Sequence, residues 1–163
     1  TAQILDSSDN TITGNLSYVH NSAVSTFNRL VKISNSIYVT AYANAGDSSF
    51  SNVQILSVAG TVVSSGLAVR IINVVASEGF FAIAKADNQS VFCFYRNVTT
   101  NQGAARVASI SGKTLTMKTP VVVKATACQA MGATYLDDTR TIYTFRDQGN
   151  SNRGTGKVSK VAS

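Results

Sequence analysis

The chain has 163 residues, enough for one domain with a core of its own. Hydrophobic residues make up 44% and charged residues only 13%, about half the usual charged share. Ser and Thr number 37 and Asn 13, so the surface is wetted by hydroxyls and amides; this points to a secreted or assembled β protein rather than a cytosolic enzyme. The net charge of +6 comes from seven Lys and seven Arg against eight acids. No apolar run is long enough to cross a membrane as a helix, so no membrane insertion is expected.

In chain order the elements repeat. Gln3-Ile4 opens a strand-like run that leads into a polar turn, "SSDNTIT". The next stretch reads as four strands, A (Leu30–Asn35), B (Ile37–Asn44), C (Asn52–Val58) and D (Val62–Ile72), from their β-branched and aromatic content and turn-bounded lengths. "FFAIAKADNQ" and "SVFCFYRN" then repeat A and B, "ARVASISGKTLT" repeats C and D, and "ATYLDDTR", "RTIYTFRD" and "GKVSKVAS" give A, B and C once more. The pairs Gln3-Ile4, Gln54-Ile55, Arg106-Val107 and Lys157-Val158 fall at spacings of 51, 52 and 51. Tyr42, Tyr95 and Phe145 share a second column, and Asn44, Asn97 and Asp147 a third. Asn35-Ser36, Asp87-Asn88 and Asp138-Thr139 are the A–B turns, where Asn and Asp tolerate left-handed backbone and bond their own chain.

This pattern predicts an all-β fold. It contains three four-stranded antiparallel repeat units resembling propeller blades, at approximately 1–51, 52–103 and 104–154, with a surplus strand at 155–163. Strand A should be the tight inner strand, with small residues at Gly79, Ala82, Ala84, Gly132, Ala133 and Thr134. The chain runs C-D, A-B-C-D, A-B-C-D, A-B-C, so its two ends are copies of one strand. Three units fall short of an ordinary propeller. Chains therefore join by exchanging end strands, or the chain is a slice of a longer array, or it closes as a three-fold β-prism or trefoil. The start at Thr1 fits a processed or excised piece.

Chemistry is sparse. His20 is a lone histidine in a loop-like stretch, and neither catalytic nor metal use is expected of it. Cys93 and Cys128 are read as buried thiols rather than a disulfide framework. Asp137-Asp138 could hold Ca²⁺ from a turn, but turn formation is the expected role. No phosphate loop or nucleophile elbow occurs. No enzyme activity, cofactor or metal is expected. Arg96, Arg146 and Arg153 lie in or beside the B–C loops, where they would form a basic rim for a polyanion or glycan, or a soluble edge that deters sheet-to-sheet sticking. Nucleic acid is not an expected partner, since the cations are not densely clustered. The absence of Trp weakens a lectin-like reading. Asn15, Asn88 and Asn97 head glycosylation sequons.

The phrase "YTFRDQGNSNRGTGKVSKVAS" resembles the tandem repeats of about 50 residues, β-propeller-like, found in microbial surface and fibre proteins and in phage tails. Phe145, Arg146, Asp147, Gly149, Asn150, Ser151, Gly154 and Thr155 carry the likeness. The second copy keeps Tyr95, Arg96, Asn101, Gly103, Ala104, Val107 and Gly112; Tyr42, Gly46, Asp47, Ile55 and Gly60 remain of the first. The resemblance implies an architecture and an extracellular, virion-surface or cell-surface setting, and no catalytic residue. The expected function is a non-enzymatic structural module that self-assembles by strand pairing, through Gln3, Ile4, Lys157 and Val158; its partners would be copies of itself. The alternative is a lectin-like or receptor-binding module for cell-surface carbohydrate.

Overall fold

The structure is a computed structural model; it describes the backbone of residues 2–6, 13–75 and 81–160 and the side chains of 18–71 and 81–160. Gly79 lies outside the described residues. Among those residues there is no α-helix, only strands, turns and two single-turn 3₁₀ segments. This is what β-branched and aromatic runs interrupted by Asn, Asp, Ser and Gly favour.

Strands β1 (Ala2–Asp6) and β2 (Thr13–Tyr18) form a separate antiparallel pair. A second sheet has β3 (Ser25–Lys32), β4 (Ile37–Asn44), β5 (Phe50–Ala59) and β6 (Val62–Ser65) in that order, with β7 (Val69–Val75) also on β5. The third sheet starts with β8 (Phe81–Asp87), β9 (Ser90–Arg96) and β10 (Gln102–Ser111), and β11 (Thr114–Met117) pairs with β10. It continues through the long β12 (Val121–Asp137) to β13 (Arg140–Asp147) and β14 (Arg153–Lys160). No sheet closes on itself as a barrel among the described residues.

The registers recur along the chain. On β5, Phe50 faces Val75, Ser51 faces Ile72, Asn52 faces Arg70 and Val53 faces Val69. On β10, Gln102 faces Ala127, Gly103 faces Lys124, Ala104 faces Val122 and Ala105 faces Val121. Each partner in the second set is 52 higher (102 − 50, 127 − 75), and the bulges fall at the same two steps. The pairing of β3 with β4 recurs in β12 with β13 at an offset of 103 (128 − 25, 147 − 44). Its bulge recurs too: Phe27 and Ala130 both have left-handed backbone, φ 56° and 48°. The β1–β2 pairs Ala2–Tyr18 and Leu5–Gly14 sit 51 below Val53–Val69 and Leu56–Ser65. Bulge patterns that recur at offsets of 52 and 103 mark a structural repeat, since bulges are specified positions rather than accidents.

Two expected strands are corrected. The sequence pattern places strand A at Leu30–Asn35, but β3 begins at Ser25 and ends at Lys32. Ser34 leaves the sheet to build the turn, its Oγ accepting from the amides of Ser36 (3.4 Å) and Ile37 (3.2 Å). Asp87 and Asp137 make the same turn, accepting from Gln89 N (2.7 Å) and Thr139 N (3.0 Å). The pattern also gives strand D as one piece, Val62–Ile72, but it is broken into β6 and β7 around Gly66. A Cβ on Gly66 would meet the Lys113 carbonyl oxygen at 2.0 Å, so only glycine allows that approach.

The middle strands are buried on both faces. Val91, Cys93 and Tyr95 of β9 join Phe81, Ile83, Ala104, Ala108 and Leu115 against Val39, Ala41, Val53, Ile55 and Ile71 of the second sheet. Phe92 and Phe94 point the other way, with Ala82, Ala86 and Ala105, onto Cys128, Met131, Tyr143 and Phe145. The period of two in a strand puts neighbours on opposite faces. "VFCFY" therefore fills two cores at once, which is why it shows no apolar–polar alternation. The aromatic column is buried throughout: Tyr42, Tyr95 and Phe145 are each 1–2% exposed. They lie opposite Asn52, Ala104 and Thr155 in matching registers.

Candidate assembly site at the strand ends

The column found by spacing, Gln54, Arg106 and Lys157, ties the hairpins together. Gln54 Nε2 donates to the Gly66 carbonyl at 2.8 Å. Arg106 Nε donates to the Lys118 carbonyl, the equivalent of Gly66 one repeat later, also at 2.8 Å. These bonds hold strand C to strand D of the same unit. Arg106 Nη1 also donates backwards to the Ile71 carbonyl at 2.6 Å, and Lys157 Nζ to the Val123 carbonyl at 3.1 Å. These bonds tie a unit to the one before it. Lys157 thus makes the backward bond, and no D strand lies beside β14 among the described residues. Val158, its neighbour, is exposed.

Gln3 and Ile4 lie on β1, facing Ser17 and Leu16. β1 pairs only with β2, so its other edge carries no strand partner among the described residues. Among the described residues β14 pairs only with β13, from Arg140–Lys160 to Asp147–Arg153. The chain therefore presents, among the described residues, two strand edges that are opposite sides of one strand type, since β1 is paired on its D side and β14 on its B side. The hydroxyl pair Tyr18–Ser65, at 2.8 Å, links the first hairpin to the second sheet.

The B–C turns are capped alike. Asn44 Oδ1 accepts from Gly46 N (3.1 Å), Asn97 Oδ1 from Thr99 N (3.0 Å), and Asp147 Oδ1 from Gly149 N (3.0 Å). A Cβ on Gly149 would meet Thr126 Oγ1 at 2.6 Å, and one on Gly46 would meet the Ala23 Cβ at 2.7 Å, so both caps need glycine. Asp147 adds an ion pair to Lys124 at 2.7 Å. The lysine's hydrogen bond holds the Asp147 carboxyl below the usual carboxylate range. Spacing exposed this column but not the partner, because Lys124 belongs to the preceding strand.

Arg96, Arg146 and Arg153 stand at the B–C ends of β9, β13 and β14. Arg96 donates to the Asn101 side chain and Arg146 to the Gln129 side chain, while Arg153 is exposed opposite Asp147 in the register. Asn88 sits exposed in a turn, its Oδ1 accepting from Lys85 Nζ at 2.7 Å. Asn97 is the cap just described, and Asn15 falls at the bulge between the Ile4–Leu16 and Leu5–Gly14 pairs.

Other groups are spoken for. His20 packs its ring edge-on to Tyr42, centroids 5.0 Å apart, and burial lowers its pKa. Cys93 and Cys128 are free and buried, and burial pushes their thiols up to about 12 and about 11. Asp137 is held near 2, first by its Arg140 hydrogen bond, and Asp138 accepts from Tyr135 at 2.6 Å. Both acids serve the turn. No cluster of three His, Cys, Asp or Glu is placed for a metal among the described residues. The chain matches no protein-family model and no curated protein sequence.

Proposed function

We propose that this chain is a non-enzymatic structural module that assembles with copies of itself through β-strand pairing, in an extracellular or virion- and cell-surface setting. Its units are blade-like, stacked as in a propeller but left open. The observation that carries this reading is the pair of strand edges, on β1 and β14, that have no strand partner among the described residues. An open strand edge is a row of unpaired N–H and C=O groups and a template for another chain. The two edges are opposite sides of one strand type, so a head-to-tail contact between copies uses both, closing a ring or extending a filament according to its rotation. The hydroxyl- and amide-rich surface and the low charge suit a persistent assembly.

Electron microscopy of the purified protein tests this. Rings or filaments are the expected result, and uniform small particles at high protein concentration would overturn it.

A further inference from the structure

Between β10, the first half of β12 and the end of β14 lies an open cleft of about 800 Å³. Phe92, Val107, Val121 and Val123 line it, with Lys118 and Lys160 at its margin. The repeat shows what such a cleft holds. One repeat earlier, Val107, Val121 and Val123 become Ile55, Val69 and Ile71. Ile55 and Ile71 are fully buried, covered by a core that includes Leu115 and draws in Met117, both from the D-type strand β11. One interface later no strand among the described residues takes the place of β11, and Val121 stands 62% exposed.

We propose that this cleft is the acceptor for the N-terminal hairpin of a second copy, with β1 adding along the edge of β14 that has no strand partner among the described residues, and carrying β2 with it. The inference rests on the self-assembly reading and names its site. Three observations choose this occupant. β2 is a D-type strand by register, since β1–β2 repeats the C–D pairing of β5 at an offset of 51 (53 − 2, 56 − 5). The hairpin forms a sheet of its own, separate from the others. The charges also match. From Thr1 to Asn28 the chain carries Asp6 and Asp9 and no Lys or Arg. From Arg106 to Ser163 it carries nine Lys and Arg against three acids, the whole net charge of the chain. An acidic head and a basic tail favour head-to-tail contact over head-to-head.

The test is sedimentation velocity of the full chain beside Val121→Asp and Val62→Asp. Both valines are 62% exposed, so neither change disturbs the core, but only Val121 lines the cleft. Val121→Asp is expected to weaken assembly at least tenfold and Val62→Asp to leave it unchanged. Assembly should also weaken as NaCl is raised from low to molar concentration, as screened charges do. In hydrogen exchange, the outward-facing amides of Thr155–Lys160 should be protected in the assembled wild type and not in Val121→Asp. If the full chain assembles and Val121→Asp assembles equally well, the cleft is not the acceptor although strand-end assembly stands. If the full chain is a monomer at every concentration, both fall.

Discussion

Arg106 and Lys157 make one bond in two places: each donates to a carbonyl of the preceding unit, Ile71 and Val123, and those carbonyls occupy the same place in successive repeats. The cation recurs at these two junctions, while Gln54 holds the same column one repeat earlier and bonds Gly66 of its own unit.

Arg106 bridges two carbonyls, Ile71 and Lys118. Arg106→Met keeps the stem and removes both bonds, leaving the part-buried Ile71 carbonyl without this donor. Urea titration should show a loss of about 1.5–3 kcal/mol, the range for bonds to a charged donor. A loss below about 0.5 kcal/mol would show that the bridge is ornamental.

The repeat was legible in the sequence because its columns are chemical. Gln54, Arg106 and Lys157, Tyr42, Tyr95 and Phe145, and Asn44, Asn97 and Asp147 hold their places because bonding and burial demand those types. The break in strand D was not legible. Gly66 looks like any turn glycine until Lys113, from the following unit, is laid against it. The early start of strand A was hidden by Phe27 and Ala130, whose left-handed backbone interrupts the period of two that marks a strand. The cleft was invisible too, since Val107, Val121 and Val123 read as core in a strand pattern.

Phe145 is 2% exposed and packs on Phe94 at 5.8 Å and Tyr143 at 6.2 Å between ring centroids. Phe145→Ala should cost about 3–5 kcal/mol by thermal or urea unfolding. A cost under about 1 kcal/mol would mean that the third unit does not pack on the second as described.

Asp147 and Asp137 both have lowered folded pKa values, so their contribution to stability is complete above the ordinary 3.8. It is lost as pH falls through the folded values, about 2 for Asp137. Stability should therefore fall on acidification below about pH 4, and Asp147→Asn should be less sensitive over that window. A wild type whose stability stays flat through that acid window would contradict both ion pairs.

Cys93 and Cys128 are fully buried, with thiols pushed up to about 12 and about 11. Neither should react with a disulfide reagent at mildly alkaline pH in the native protein, and two equivalents should appear in denaturant. Rapid native labelling would place at least one thiol at the surface.

Deletion of Thr1–Ser8, which carries β1, followed by sedimentation velocity and circular dichroism, tests self-assembly through the strand ends most directly. The intact chain should sediment as large species, and the deletion as smaller ones with its β-type spectrum retained. An intact chain that sediments as a monomer at high concentration, or a deletion that assembles as the intact chain does, would contradict it.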